Sequence, residues 1–262
     1  MSASSLRLSL FLFTLASCAL TERLLPRRAR VAPAAPRWGA NLALMLLGSL
    51  AVRFLLPLAA LETASRAEAA RVGLMNIVAM PSLLKIILTV VLFDLLIYWQ
   101  HRLFHTVPVL WRMHAVHHTD LDLDAGSAVR FHPLEILVSM LIKMAAVVIL
   151  GASAAGVLIF EAILSTAAIF HHSNTALPLP LDAALRRLTV TPDMHRVHHS
   201  PNRLETDSNF SFNLTIWDRL FGTYRAQPLE LHESMKLGLP EDRDPRRLGL
   251  GALLVRPLTR TS

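Results

Sequence analysis

A single cysteine, Cys18, stands among 262 residues. That excludes an intramolecular disulfide framework and any zinc site built on cysteine pairs. Charge is also sparse: Asp, Glu, Lys and Arg together make up 17% of the chain, too little to clothe a soluble domain of this length. Aromatic residues are 6%, and the surplus arginines are not interleaved with them as on nucleic-acid readers. The net charge of +7 therefore does not point to a nucleic acid. There is no long-period repeat and no low-complexity domain. What the chain has in plenty is apolar, with 53% hydrophobic residues and a mean hydropathy of +0.45. That is the balance of an integral membrane protein.

The apolar residues gather into bilayer-length runs. "LRLSLFLFTLASCALT" (6–21) is the first, and "WGANLALMLLGSLAVRFLLPLAAL" (38–61), interrupted by Arg53 and Pro57, is the second. "LLKIILTVVLFDLLIYWQ" (83–100) is the third. From Leu134 to Phe170 only Glu135, Lys143 and Glu161 are charged, which leaves room for two helices of bilayer length. "GASAAG" (151–156) is the turn between them. The expected fold is all-α and integral to the membrane, with four to five transmembrane helices. The loop "ERLLPRRARVAPAAPR" (22–37) carries five arginines and belongs on the cytoplasmic side. Alternating from there places every histidine on that side, in a helical cap beside the membrane. A rival reading makes Arg7 and the first run a signal peptide, or "LASC" (15–18) a lipoprotein box with Cys18 as lipid acceptor. Cleavage would export the arginine-rich loop, so an uncleaved first helix is expected.

Eight of the twelve histidines fall into three groups: "HRLFH" (His101, His105), "HAVHH" (His114, His117, His118) and "HRVHH" (His195, His198, His199). On a helix, positions i, i+3 and i+4 share one face, so each group aims its rings together. At this histidine content roughly 0.025 His-x-x-His-His triplets are expected by chance, and the chain has two. Imidazole suits Zn, Cu, Fe and Ni, and eight or more nitrogens exceed what one tetrahedral ion takes. The count asks for two metals. A zinc-dependent membrane hydrolase would need a Glu base, and no His-Glu-x-x-His is present. A metal transporter or other non-catalytic metal binder would place such residues within the spans, whereas these cluster just beyond them.

The order of these boxes, with "DLLIYWQHRLFH" (94–105), "LWRMHAVHHTD" (110–120), "VRFHPLE" (129–135), "HHSN" (171–174), "TPDMHRVHHS" (191–200) and "DSNFSFNLTIWDRLFGTY" (207–224), resembles the fatty acid hydroxylase/sterol desaturase superfamily over about 83–225. The resemblance implies a membrane enzyme with a di-iron centre, in which zinc can stand in for iron. Such an enzyme uses O2 to hydroxylate or desaturate a lipid C–H bond. Electrons would come from an external donor of the ferredoxin or cytochrome b5 type with its reductase. By position, His101, His105, His114, His117, His118, His195, His198 and His199 would be ligands, joined by His172. Which of His171 and His172 turns inward is left open, and His132 is a further candidate near the site. The family's fatty acid α-hydroxylases often have one more residue in the first box and a fused cytochrome b5 domain. This chain has neither, which leans it towards the sterol-desaturase-like branch.

Other residues carry expectations of their own. Asp94 lies two helical turns before His101, inside an apolar helix, where a carboxylate is costly and a functional candidate. It joins Asn174 and Asp193 as a candidate support of the site, with Asn209 and Asn213 as further polar candidates. Tyr98 and Trp99 read as membrane-interface aromatics. Asp120, Asp122 and Asp124 read either as ligand-orienting groups or as a solvated acidic loop. Arg130 and Glu135 are placed to pair, and Lys143 to snorkel or touch a lipid head group. The expected organisation is membrane anchor helices and the arginine-rich loop over 1–80, the histidine-box domain over 81–225, and a loosely held polar tail over 226–262.

Overall fold

The computed structural model describes residues 3–56 and 58–259; Pro57, expected to interrupt the second run, lies outside them. Helices α1 (Ala3–Leu24), α2 (Ala34–Leu55), α3 (Ala60–Ala69), α4 (Leu74–Ile77) and α5 (Ser82–Thr106) form the first half. α6 (Pro108–His118), α7 (Pro133–Leu150), α8 (Ala154–His172), α9 (Leu179–Leu185) and α10 (Pro192–His198) follow. α11 (Arg203–Thr206), α12 (Ile216–Leu220) and α13 (Leu250–Thr259) complete the described chain. No strand occurs among the described residues, only two isolated bridges. Five candidate membrane spans are long and apolar enough to cross a membrane: Ser5–Leu24 in α1, one beginning at Ala34 with α2, Ser82–Thr106, Pro133–Leu150 and Ala154–His172. The chain is an all-α integral membrane protein.

Direction along the bundle follows from the contacts. Arg7 meets Glu161 and Thr21 meets Thr175, so α1 runs the same way as α8. Phe93 packs edge-on against Phe160 at 5.5 Å, and Thr89 Oγ1 accepts from Ser153 N, so α5 shares that direction. Asn41 lies against Gly126 and Arg130, and Gly48 against Ile136, so α2 runs with α7 the opposite way. The histidines therefore all gather at one end.

Local chemistry sets the helix ends. The turn at 151–153 forms as expected: Gly151 adopts the left-handed conformation at the end of α7 (φ 67°), which a side chain would strain. Ser153 caps α8. Three residues on, Gly156 permits close approach, since a Cβ there would fall 2.6 Å from Thr89. Proline opens α6, α7 and α10, where its missing N–H costs nothing. Both His-x-x-His-His boxes thus follow a helix start fixed by Pro108 or Pro192, with His199 just past the last residue of α10.

Several expectations are corrected here. The segment after Gln227 is not loosely held. Met235, Leu237, Leu239 and Leu253 are buried, α13 packs on α6 and α2, and Arg28 donates to the Met235 carbonyl. Tyr98 is not an interface residue: it is fully buried, stacked on Phe221, with its hydroxyl 3.0 Å from Thr223. Asp120, Asp122 and Asp124 are buried rather than solvated. Arg37 bonds Asp120 and Asp124, and the Val31 and Ala32 amides donate to Asp122. Lys143 does not snorkel; it is buried against Glu161 at 3.0 Å.

Candidate metal centre

The histidines do not meet at one point, box by box. They sort into two buried groups whose ligand atoms lie within 4.8 Å of one another in each group: His101, His105, His114, His118 and His198, and His117, His172, His195 and His199. These are clusters A and B. The two repeated boxes straddle them. The α6 box gives His114 and His118 to A and His117 to B, whereas the α10 box gives His198 to A and His195 and His199 to B. On each helix the 3.6-residue turn separates the neighbouring rings of the His-His pair by about 100°, which lets one box serve two centres.

Hydrogen bonds decide which nitrogen faces inward. The Nδ1 atoms of His101 and His198 lie 2.9 and 2.8 Å from the carbonyls of Phe210 and Ser208. Those of His117 and His172 lie 3.2 and 2.7 Å from the carbonyls of Arg130 and Ala168. A carbonyl only accepts, so each Nδ1 carries the proton and each Nε2 presents a lone pair. His114 Nδ1 is 2.7 Å from Glu135 and His105 Nδ1 is 3.3 Å from Asp207, with the same result.

The inward Nε2 atoms then have a problem that a cation solves. His172 Nε2 lies 3.0 Å from His117 Nε2 and 3.1 Å from His195 Nε2, and His199 Nε2 is 3.1 Å from His195 Nε2. Between His117 and His172 two lone pairs face each other with no proton to share. In cluster A the Nε2 atoms of His105, His114, His118 and His198 are buried without a hydrogen-bond partner. Orphaned acceptors at this density are expensive. Burial, and then the neighbouring imidazoles, hold His118, His195 and His199 well below the ordinary histidine value, and His198 is pushed down to about 3. Neutral, converging and dry, the donor set fits two transition-metal ions of the kind imidazole binds.

Beside the histidines lies a cavity of about 190 Å³, with His101, His114, His117 and His195 at one end and Ile97, Met140, Leu164 and Phe212 along its walls. A second cavity of about 280 Å³ shares Phe131, Ile136, Lys143, Leu164 and Phe212 with it and reaches Phe11, Met45 and Ser49 of α1 and α2. Both cavities are walled mainly by apolar side chains of the spans, and the smaller one is also lined by clustered histidines.

The other sequence candidates are placed as follows. Asp94 accepts from Asn213 Nδ2, Leu214 N and Trp217 Nε1, so it pins the 213–217 segment onto α5. Asn174 donates its backbone N–H to the Glu22 carboxylate and its side-chain amide to the Arg28 carbonyl. Asp193 pairs with Arg27 and Arg196. None of these bonds runs to a clustered histidine. Asn209 links Met194 to Arg225. His132 caps α7 through Leu134 N and holds the Leu254 carbonyl, outside both clusters. His172 joins cluster B, whereas His171 packs beside it, 4.2 Å from the His195 ring and 4.8 Å from Phe212.

The expected Arg130–Glu135 pair does not form. Glu135 turns to His114, and Arg130 bonds Val116 O, Thr119 and Asn41. Each finds a partner on α6 or α2 that a short-range reading could not see. Two further residues escaped the sequence reading. Glu22 accepts from Ala125 N, Asn174 N and Arg30, which ties α1 to both histidine-bearing loops. An acidic residue in the last turn of a helix opposes the helix dipole, and that was the available signal. Arg37 was read only as an orientation charge. Burial would raise the Asp120 carboxyl, but the charges of Arg37 and Arg130 and the Arg37 hydrogen bonds outweigh it, and its pKa falls to about 2.

The fatty acid hydroxylase family model matches residues 86–223. Ornithine lipid hydroxylase OlsE of Rhizobium tropici is 32% identical over 149 residues, 56% of this chain and 44% of that protein. Alkylglycerol monooxygenase of Homo sapiens is 33% identical over 135 residues, 50% of this chain and 28% of that protein. The corresponding Danio rerio protein is 33% identical over 135 residues, 51% and 29%. The chain thus spans less than half the length of these curated relatives. No solved structure matches it.

Proposed function

The chain belongs to the fatty acid hydroxylase family, and from that premise we propose that it is a membrane di-iron oxygenase that hydroxylates a C–H bond of a lipid. One observation carries the reading: two groups of buried, converging histidines border a largely apolar cavity that lies among the membrane spans. The balance is R–H + O2 + 2 electrons + 2 protons to R–OH + water, so an external electron donor of the ferredoxin or cytochrome b5 type is required. The relatives' names, lipid hydroxylase and monooxygenase, favour hydroxylation; they lend nothing to the sterol-desaturase lean.

His101, His105, His114, His118 and His198 would hold one iron, and His117, His172, His195 and His199 the other. Iron there supplies the one-electron redox chemistry that O2 requires. The protein's own residues do the rest. Phe131, Met140, Leu164 and Phe212 keep water from the cavity and align the lipid chain against the histidine wall. Glu135 holds the proton on His114 Nδ1 and fixes that ring's tautomer. Asp94, Asn174 and Asp193 act as positioning residues, anchoring the segments on which the ligands stand. The arginine-rich loop favours the cytoplasmic face for the histidine end, where a soluble electron donor can reach it.

The test is metal analysis and turnover on detergent-purified protein expressed with iron supplied, beside the H117A/H198A variant, which takes one ligand from each cluster. About two irons per chain, lost in the variant, with one 18O atom from 18O2 in a lipid product, is the expected result. Protein isolated with zinc is reconstituted with iron before turnover. A folded wild type that binds no metal, or an iron-loaded protein that oxidises no lipid with reductant present, overturns the reading.

A further inference from the structure

Electrons must reach a centre that is buried on nearly every side. Cluster B meets protein or the lipid-side cavity and not bulk solvent: His117 is stacked on Phe131 at 4.4 Å, His195 is covered by His171, itself packed on Phe212, and both His117 and His195 line the cavity. Cluster A has one thin wall. Trp111, 8% exposed, lies with its ring centroid 5.0 Å from His105 and 5.5 Å from His118. On its outer side the Arg203 guanidinium sits 5.3 Å from the same ring, and the Arg203 side chain is 61% exposed. Arg203 also pairs with Asp207, whose other oxygen meets His105 Nδ1. From solvent to a cluster A imidazole the path is one guanidinium and one indole.

The surface around this point has a definite chemistry. The exposed Leu204 flanks Arg203, and the exposed Val109 precedes Trp111 by two residues. Among the charges of the covering segment 203–225, Glu205 is turned inward to Ser200 and Leu229, and Asp218 to Phe210, Ser211 and Thr223. Asp207 is already paired. Its partner is Arg203 itself, whose side chain stays exposed, and Arg219 and Arg225 are the segment's other arginines, neither of them buried. An exposed arginine with an exposed leucine beside it, over an aromatic in contact with clustered histidines, suits an acidic protein carrier.

We infer that the Arg203–Trp111 face is where an acidic one-electron carrier docks, and that its electron passes through the Trp111 ring to cluster A. The inference rests on the oxygenase reading for its need of electrons. Two docking events per turnover, each oxidising the carrier by one electron, supply the two electrons of the balance above.

The test follows reduction of the iron-loaded protein by stopped-flow absorbance without lipid, so a failure of the hydroxylase reading leaves this result standing. Reductants are a plant-type [2Fe–2S] ferredoxin, the soluble haem domain of a cytochrome b5, and reduced methyl viologen, which needs no docking site. R203E, confirmed to retain its iron, is expected to slow reduction by the protein carrier at least tenfold and to leave the viologen rate unchanged. Added salt should bring the wild-type rate down towards that of R203E. W111L should slow the carrier similarly, with W111F in between; if W111L loses iron, R203E decides. Equal carrier rates in wild type and R203E overturn the inference. So does a centre that viologen reduces and neither carrier does, as would follow if this face rests against lipid.

Discussion

Clusters A and B both draw on the two repeated boxes, yet they are unequal. A gathers five histidines and B four. In A, two rings are backed by carboxylates, His114 by Glu135 and His105 by Asp207. In B, the backing found for His117 and His172 is a main-chain carbonyl in each case. A carboxylate behind an imidazole makes it a stronger donor, so under the proposed reading A would hold its ion more tightly than B. B has fewer ligands and leaves more room at an ion for a small exogenous molecule. Each repeated phrase thus feeds two unlike clusters, because the partners behind the rings and the histidines added from α5 and α8 differ.

The largest effect that breaks this comparison is expected away from the histidines. Arg37 holds Asp120 and Asp124 at the base of the loop whose Arg130 carbonyl fixes His117. R37M removes the closest cation from two buried carboxylates and leaves them Arg130 and Arg30 at longer range, which costs about 3 kcal/mol. Thermal unfolding in detergent at pH 7 reads it directly, and B should lose metal before A does. Because the Asp120 pKa is depressed, its contribution is complete above the ordinary value of 3.8 and is lost as pH falls through about 2. The gap between wild type and R37M should therefore narrow only in that acid range. An unchanged unfolding midpoint at pH 7 would mean the Arg37 cluster is not a clamp.

How much of this could be read beforehand depended on range. The spans were legible because a bilayer-length apolar run has few alternatives, and the grouping within each box because i, i+3 and i+4 share a helix face. The division into A and B was not legible, since it is fixed by how α5, α6, α8 and α10 approach one another. The arginine-rich loop has a second role that range also hid. Its arginines read as membrane-orienting charges, and in the structure Arg27, Arg28 and Arg37 are also bound to Asp193, Met235 and Asp120, between 83 and 207 residues away along the chain. Glu135 shows the same limit at short range: five residues from Arg130, it prefers a histidine on α6 that no local pattern announces.

A smaller effect sharpens the comparison at its strongest point. E135Q keeps an acceptor for His114 Nδ1 and removes the charge. Metal affinity at A should fall about 10–100-fold, and that at B should stay within error. Cobalt(II) titration followed by optical absorption separates the two steps. Equal weakening of both steps would show that the clusters act as one site, and no weakening would show that Glu135 contributes only packing.

The smallest effect concerns His171, the residue that decides whether the count is five against four. Its ring is fully buried, both its nitrogens lack a hydrogen-bond partner, and it stands outside both clusters although it touches His195 and Phe212. Read as packing, it is a polar ring in an apolar seat, and an aromatic without nitrogens would suit the seat at least as well. H171F should keep both metals, with less than about a threefold change in affinity at B, which is under 0.7 kcal/mol, and equal or higher thermal stability. Read as a ligand, His171 would turn towards His195 and complete a fifth position at B, and H171F would then lose metal from B alone. The cobalt titration that resolves E135Q distinguishes these outcomes. Loss at B would erase the difference in ligand number and leave the carboxylates behind His105 and His114 as the only inequality between the two centres.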